Sequence, residues 1–363
     1  MYKIGVIKGD GTGPEVIDEA LKVLNATPFK ADYNILPFNG TRYLNEEKTL
    51  SDDELNDLNQ YDALLLGAIG HPDVKPGILE RDILLKLRFG LDQYINLRPV
   101  KLYPNVYTPI KNKIADDIDY VVVRENTGGL YTGAGNFKDK NTTKEVATQE
   151  MVYSYEQVHR CLTYAFETVI KRNQKEAWKG LSQTEKDAGY IGKLTLCGKT
   201  NVLTYTFDLW ERVFNDLKQS YPTVLTDYVH VDATCIYMVE CPERFDVIVT
   251  SNMFGDIITD LAAVTQGGMG VAASGNINPA GVSMFEPIGG TAPNFTGLNQ
   301  INPMAAIGAA HMMLAHLGEN EISDNIEQAK INVIQKMASM QAAQMGFSTS
   351  EIGDLVVKEL EQR

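Results

Sequence analysis

Short apolar runs that end in turn residues recur along the chain and predict buried strands. Residues 4–7, 62–66 and 245–249 are such runs, and their length and bounding turns are typical of strands buried within a sheet. After the third run, Ile257, Leu261 and Val264 follow a helical period. The pattern therefore predicts a chain in which buried strands pass directly into helices.

Further helices are predicted from their start signals and periodicity. One begins near Pro14, because proline is preset for the first helical turn. Longer helical patterns run over residues 148–172, 302–317 and 322–345. Residues 173–189 are polar and charged, which predicts a surface excursion between elements.

Asp256 and Asp260 stand in the first turns of the helix predicted after the strand at 245–249. Four residues apart on a helix, the two carboxylates lie on one face and can reach one ion. Such a pair suits Mg2+ or Mn2+, which prefer oxygen ligands and keep other positions for water or substrate. The alternative is that both acids only complement the positive end of the helix dipole.

Three arginines stand at the ends of apolar elements, namely Arg88, Arg98 and Arg124. Each alone is typical of an ordinary ion-paired side chain. Together they form a candidate clamp for a small polycarboxylate, since guanidinium groups match carboxylates bidentately. Lys199, just after the strand predicted at 193–197, is a candidate catalytic lysine.

The glycine loop at residues 9–15 does not fit the dinucleotide fingerprint. G-x-G-x-x-G beginning at Gly9 requires glycine at position 14, where the chain has Pro14. A glycine loop at a helix start can still present backbone amides to a cofactor phosphate or a substrate.

Length, charge and cysteine use limit the class of protein. The 363 residues suffice for two domains, and the net charge of -14 argues against nucleic acid or an anionic membrane as partner. The start lacks a signal-peptide pattern, so we expect a cytoplasmic protein. The cysteines stand in apolar runs without a C-x-x-C pair and are expected to be small buried residues. They are Cys161, Cys197, Cys235 and Cys241.

Five motifs, in this order over nearly the whole chain, resemble the isocitrate and isopropylmalate dehydrogenase family. They are GDGTGPE at 9–15, LRP at 97–99, KTN at 199–201, NMFGDIITD at 252–260 and GTAP at 290–293. Residues 79–99 are most similar to the 3-isopropylmalate dehydrogenases within that family.

The resemblance implies an α/β fold of two domains that share a long mixed sheet, rather than a classical Rossmann domain. Residues 1–98 and 267–363 would form the cofactor-binding domain, and residues 99–266 the central domain for dimerisation, metal binding and catalysis. The family also implies a homodimer with shared active sites, in which Lys199 and Asp232 serve the partner's site.

The implied activity is oxidative decarboxylation of (2R,3S)-3-isopropylmalate to 4-methyl-2-oxopentanoate with reduction of NAD, a step of leucine biosynthesis. By resemblance, Tyr131, Lys199 and Asp232 are the catalytic residues, and Asp232, Asp256 and Asp260 bind Mg2+ or Mn2+. The substrate-binding residues are Arg88, Arg98 and Arg124, with Leu84 and Leu85 against the isopropyl group. The cofactor-binding residues are Asn201, Gly290, Thr291, Ala292, Pro293, Asn294 and Asn302.

Some alternatives stay open within this resemblance. Gly289 replaces the family's usual histidine, and Asn294 replaces the aspartate of NAD enzymes and the lysine of many NADP enzymes, so NADP is possible. Leu84 and Leu85 could equally be ordinary helix core. Tartrate or D-malate, homoisocitrate and isocitrate dehydrogenases are other members to consider, as is a regulatory paralogue without turnover.

Overall fold

The computed structural model describes residues 1–362. Its strands, in chain order, are β1 (Tyr2–Gly9), β2 (Ala31–Ile35), β3 (Ala63–Ala68), β4 (Ile95–Lys101), β5 (Asp119–Glu125), β6 (Gly135–Lys138), β7 (Val146–Gln149), β8 (Gly192–Gly198), β9 (Val224–His230), β10 (Val247–Thr250), β11 (Ala273–Ile277) and β12 (Ser283–Pro287).

The helices, in chain order, are α1 (Gly13–Asn25), α2 (Gly40–Glu46), α3 (Asp52–Asp57), α4 (Lys86–Gly90), α5 (Tyr155–Arg172), α6 (Gln183–Asp187), α7 (Thr206–Leu217), α8 (Val231–Glu240), α9 (Asn252–Thr265), α10 (Met304–His316), α11 (Asn320–Ile334) and α12 (Thr349–Glu361). Over residues 1–362 no helix combines the length and apolar character that crossing a membrane requires.

The fold is α/β with a mixed sheet of ten strands, and this fold class is confirmed. The chain divides into two compact units. The first comprises Met1–Gln93, Arg98–Asp116 and Ala263–Arg363, and the second comprises Tyr94–Leu97 and Asp117–Ala262. Both chain ends thus belong to the first unit, which also includes residues 99–116 that were expected in the central domain.

The first unit contains the strand order β2-β1-β3-β12-β11. All of these neighbours pair in parallel except β11 and β12, which are antiparallel. Helix α10 packs on β11 and β12 and on helices α1 and α11. Its residues from Met304 to Ala310 are all buried, as expected for a helix that is apolar on every side.

The second unit contains the parallel strand order β5-β10-β8-β9. All residues of β10 are buried, which agrees with the apolar run Val247–Val249 that makes up most of the strand. Helices α5 and α7 pack against each other, and Phe166 and Trp210 from these helices are among the largest fully buried side chains. The core of this unit therefore lies between the parallel strands and these two helices.

Two predicted helices have other bounds in the structure. The helix predicted over 148–172 begins only at Tyr155, because Val146–Gln149 pairs with β6 as an exposed hairpin and Ser154 caps the helix with Gln157. The helix predicted over 322–345 ends at Ile334 as α11, and α12 follows after a stretch of turns.

The polar excursion at 173–189 is partly packed rather than wholly solvated. Trp178 and Leu181 within it are 6% and 5% exposed, and the ammonium of Lys193 lies 4.8 Å from the Trp178 ring centroid. Short helix α6 also falls in this segment. Two apolar anchors therefore hold a segment whose composition alone predicts a surface loop.

The expectation of four buried cysteines was wrong for two of them. Cys161 and Cys197 are buried, whereas Cys235 and Cys241 are only partly buried. Cys235 lies on α8, a helix whose Ile236 and Val239 are also exposed. An apolar sequence run therefore does not imply burial on this helix.

Candidate functional site

The carboxyl ends of β5 and β10 bring two predicted site segments together in the second unit. The strands pair in parallel with Arg124 opposite Thr250, and α9 starts two residues after Thr250. Because parallel strands end at the same edge of a sheet, the end of β5 lies beside the first turns of α9. The side chain of Arg124 is 1% exposed there.

Arg124, Tyr131 and Asp256 are in mutual contact. Arg124 Nη1 donates to Asp256 Oδ1, and the Tyr131 hydroxyl donates to Asp256 Oδ2 at 2.8 Å. The guanidinium carbon of Arg124 lies 5.4 Å from the Tyr131 ring centroid. A cation, a carboxylate and a phenol predicted from separate motifs therefore form one cluster.

The environment of Tyr131 favours its protonated form. Burial, followed by the hydrogen bond to Asp256, raises the pKa of the Tyr131 hydroxyl, and the Arg124 charge opposes this shift in part. Tyr131 is therefore a neutral phenol at physiological pH.

Gly255 permits the close approach of α9 to Arg124. A Cβ atom at this position would lie 2.5 Å from Arg124 Cγ, which is well inside a normal contact. Close packing against Arg124 thus explains why the motif at 252–260 has glycine at this position. Any larger residue would displace the arginine.

Lys199 and Asp232 form a second cluster of the same unit. Strands β8 and β9 pair with Gly198 opposite His230, so the residues that follow each strand are neighbours. Lys199 Nζ donates to Asp232 Oδ1 at 2.7 Å, and the Asp232 side chain is 66% exposed. This bond from Lys199 lowers the pKa of the Asp232 carboxyl.

The predicted metal-binding acids do not form a group of three in the single chain. Asp256 is half-buried and Asp260, one helical turn later on α9, is exposed. Within residues 1–362 no set of three acidic, histidine or cysteine side chains could hold one ion. The pair on α9 supplies two carboxylates, which is a suitable but incomplete oxygen donor set for Mg2+ or Mn2+.

In the first unit, Arg88 is held by Glu286. Arg88 Nη2 donates to Glu286 Oε1 at 3.1 Å, and Asn276 Nδ2 donates to the same oxygen at 2.7 Å. Glu286, 7% exposed, lies on β12. No role was predicted for Glu286, although an acid inside an apolar strand is a signal of a buried charged contact.

Leu84 and Leu85 lie in a π-helical turn, Glu80–Leu85, that leads directly into α4 and Arg88. Such turns are frequent at functional sites because they shift the side chains that follow. Leu84 is partly buried against the core of the unit. This position is compatible both with a residue of the helix core and with a residue that contacts the isopropyl group. Arg98 lies on β4 and is 7% exposed.

A cavity of about 300 Å³ in the first unit is lined by backbone and apolar groups of several predicted cofactor residues. Gly290, Ala292 and Asn302 are among its lining residues. A Cβ atom at Gly289 or Gly290 would meet no atom within 4 Å, so both glycines open onto free space. The size and the largely apolar lining fit part of a dinucleotide.

The remaining predicted cofactor residues lie elsewhere. Thr291 and Pro293 line a neighbouring cavity of about 230 Å³ together with His71. Asn294 is exposed and lines neither cavity, and Asn201 is exposed in the second unit.

The glycine loop at 9–15 joins other loops of the first unit. The amide and hydroxyl of Thr12 both donate to the carbonyl of Thr291, at 2.9 and 3.2 Å. The buried Asp10 carboxylate accepts from the amides of Gly40 and Gly70. The Asp10 amide donates to the Ala68 carbonyl at 2.7 Å, so the amides of both Asp10 and Thr12 are bonded within the chain.

The sequence profile of the isocitrate/isopropylmalate dehydrogenase family matches residues 3–356. The chain belongs to this family. Relatives named 3-isopropylmalate dehydrogenase include one from Streptomyces coelicolor, 46% identical over 97% of the chain and 96% of the relative. Another, from Corynebacterium glutamicum, is 45% identical over 99% of both.

Solved structures with a similar fold include an isocitrate dehydrogenase. The crystal structure of isocitrate dehydrogenase from Methylococcus capsulatus has a TM-score of 0.86 and 30% identity, with full coverage of both chains. The TT0538 protein from Thermus thermophilus has a TM-score of 0.83 and 29% identity over 99% of this chain and 68% of its own. The fold predicted from the motifs is therefore confirmed at family level.

Proposed function

We propose that this family member oxidises and decarboxylates 3-isopropylmalate to 4-methyl-2-oxopentanoate in leucine biosynthesis, with NAD and with Mg2+ or Mn2+. The observation that supports the proposal is the contact of Arg124, Asp256 and Tyr131, which brings together an arginine able to bind a carboxylate, an acid able to bind a metal ion and a phenol able to donate a proton. The names of the relatives support the choice of substrate.

In this proposal each cluster has a separate task. Arg88, Arg98 and Arg124 bind the substrate carboxylates as bidentate donors. Lys199 takes the proton of the C2 hydroxyl while hydride leaves C2. The bond between C3 and its carboxylate then breaks with release of carbon dioxide. The Tyr131 hydroxyl protonates C3 of the resulting enolate.

The bound groups supply what side chains cannot. Bound NAD would supply the hydride acceptor, and a bound divalent ion would supply Lewis-acid stabilisation of negative charge on the substrate oxygens. Asp256 and Asp260 would hold the ion with Asp232 of a second copy, because the single chain offers two acids on one helix. The cavity beside Gly289 and Gly290 would hold the adenosine half of NAD.

We also propose a homodimer with shared sites, which acts in the cytoplasm. Helices α8 and α9 each expose apolar side chains, with Ile236 53% and Ile257 55% exposed. Exposed apolar stripes of this kind commonly mark protein interfaces. A second copy of this chain would cover them and bring Lys199 and Asp232 to the neighbouring site.

The decisive experiment is steady-state kinetics on 3-isopropylmalate, isocitrate, D-malate and tartrate, each with NAD and NADP and with Mn2+. We expect the highest kcat/KM for 3-isopropylmalate, because Leu84 and Leu85 give an apolar wall that leaves a third carboxylate unpaired. A higher kcat/KM for isocitrate would reject the substrate assignment, and exhaustive chelation that leaves turnover intact would reject the metal.

A double variant tests whether Leu84 and Leu85 contact the isopropyl group or only support the fold. Leu84→Ala and Leu85→Ala together should lower kcat/KM for 3-isopropylmalate roughly tenfold or more, as expected for lost apolar contacts in a specificity pocket. D-malate has no isopropyl group and serves as the internal control. An equal loss on both acids would indicate that the leucines only support the helix core.

A further inference from the structure

Asn252, the first residue of α9, is 1% exposed and joins three parts of the second unit. Its Oδ1 accepts from Arg124 Nε at 3.0 Å and from Arg124 Nη2 at 2.7 Å. Its Nδ2 donates to the carbonyl of Gly128 at 3.1 Å, and its backbone amide donates to the Tyr153 hydroxyl at 2.8 Å. Every polar atom of the side chain thus has a partner.

These contacts connect Asn252 to two parts of the proposed active site, namely the substrate-binding Arg124 and the loop that carries the proton donor Tyr131. Asn252 and Asp256, one helical turn apart, bind Arg124 through different nitrogens and so fix the plane of its guanidinium. The bond to Gly128 holds the start of the loop that carries Tyr131 three residues later, in the turn Leu130–Thr132. One side chain therefore restrains both the carboxylate-binding cation and the proton donor.

The amide is the chemical group that this position requires. Oδ1 accepts two bonds from Arg124 while Nδ2 donates to a carbonyl, and aspartate cannot make the second contact. Aspartate would also put a second carboxylate beside Asp256 on the same guanidinium. The neutral amide orients Arg124 without reducing its charge toward a substrate carboxylate.

We propose that Asn252 is a positioning residue for the reaction, acting through Arg124 and through the Gly128–Tyr131 loop. This inference rests on the proposed function, because it assigns the orientation of Arg124 to substrate binding. It predicts that loss of the amide weakens binding of the acid substrate, whereas NAD binding in the first unit is unaffected.

The test compares Asn252→Asp and Asn252→Ala with Asn173→Ala. Asn173 is a buried amide of the same unit that bonds the Val169 carbonyl and Asp246, away from the proposed site. For both Asn252 variants we expect the KM of the acid substrate to rise roughly ten- to a hundredfold, the cost of an unsatisfied buried contact. The KM of NAD should stay within about twofold, and Asn173→Ala should change thermal stability alone.

A double-mutant cycle with Arg124→Lys separates positioning from a general structural role. If Asn252 acts through Arg124, then Asn252→Ala should raise the KM of the acid substrate by a much smaller factor in the Arg124→Lys chain than in the wild type. Fully additive losses would overturn the inference, as would equal changes in the KM of NAD and of the acid. If Asn252→Ala fails to fold, the same readouts on the isosteric Asn252→Asp decide.

The two proposals fail in different ways. A wild-type chain that oxidises none of the four acids with either cofactor rejects the proposed function, and the assignment of Asn252 to that reaction falls with it. A wild-type chain that is active while the Asn252 variants keep its KM for the acid rejects only the positioning role.

Discussion

Asn294 is the residue at which the resemblance to the family predicts an effect on cofactor choice. It is exposed, follows the turn at 290–293, and is neutral where the family's NAD enzymes have aspartate. Ala292 in the same turn has a φ of 41°, an uncommon left-handed conformation for a residue with a side chain. The turn is thus held in a specific shape beside the proposed cofactor cavity.

We predict that Asn294→Asp shifts the ratio of kcat/KM toward NAD over NADP roughly tenfold. A carboxylate accepts hydrogen bonds from ribose hydroxyls and repels a 2'-phosphate. Thr296→Asp adds the same charge two residues away in an exposed position and is the matched control. If the two variants give the same ratio, position 294 does not face the ribose.

At the residue scale, the motifs predicted which side chains matter but not what holds them. Tyr131 and Asp256 were both predicted, and their hydrogen bond required the loop at 127–133 to lie over α9. Asn252 and Glu286 received no role from the sequence because each contacts an arginine far away in the chain. Such contacts depend on tertiary folding and leave no local pattern.

At the level of elements, α9 shows why periodicity alone does not identify the buried face. The helix predicted from the spacing of Ile257, Leu261 and Val264 does form, but the side chains of Ile257 and Val264 are more than half exposed. The face with Phe254 and Ile258 is buried instead. The helix has two apolar faces, and the sequence does not tell which one meets its own core.

We predict that Ile257→Glu prevents dimer formation. A carboxylate on a face that a second copy covers would be buried without a partner, at a cost of several kcal/mol. Sedimentation velocity should then show a single chain where the wild type sediments as a dimer. Leu298→Glu, at a similarly exposed apolar residue of the first unit, should stay dimeric. Equal masses for both variants would place the interface elsewhere.

Helices α10 and α11 share a buried ionic cluster in the first unit. Lys330 and Lys101 both contact Glu327, at 2.7 and 3.2 Å, and Tyr103 donates to the same carboxylate. Burial alone would raise the pKa of the Glu327 carboxyl, but the two lysines and His311 lower it well below its usual value. For His311, burial and then the Lys330 charge lower the pKa to about 4.

This arrangement predicts a loss of stability in acid. Between pH 6.5 and 4 the unfolded chain binds a proton at His311 that the folded chain does not, so the free energy of unfolding falls as the pH drops. The contribution is roughly 2 kcal/mol between pH 6.5 and 5. Urea unfolding at several pH values should show a shallower fall for His311→Asn than for the wild type. His159→Asn, in the second unit, is the control and should follow the wild type.

At the scale of the whole molecule, the order of the motifs predicted the family and the fold, and both are confirmed. The chain returns to its first unit at Ala263, whereas the resemblance placed this return at residue 267, and no composition change marks either position. The third acid of the proposed metal site, Asp232, was assigned only through the family resemblance. Its place beside Asp256 and Asp260 cannot be seen in a single chain, because residues 1–362 bring no three such ligands together.

The shared-site proposal can be tested by mixing two inactive chains. Arg124→Ala removes a group that serves its own site, and Lys199→Ala removes one that serves the neighbour's, so homodimers of either should be nearly inactive. In a mixed dimer one site lacks both groups and the other has both. Half of randomly paired dimers are mixed and half of their sites are complete, so co-expression should restore roughly a quarter of wild-type activity.

Mixed dimers purified through two different tags should therefore reach about half of the wild-type rate. If they are no more active than the single variants, Arg124 and Lys199 serve the same chain and the shared-site proposal is wrong.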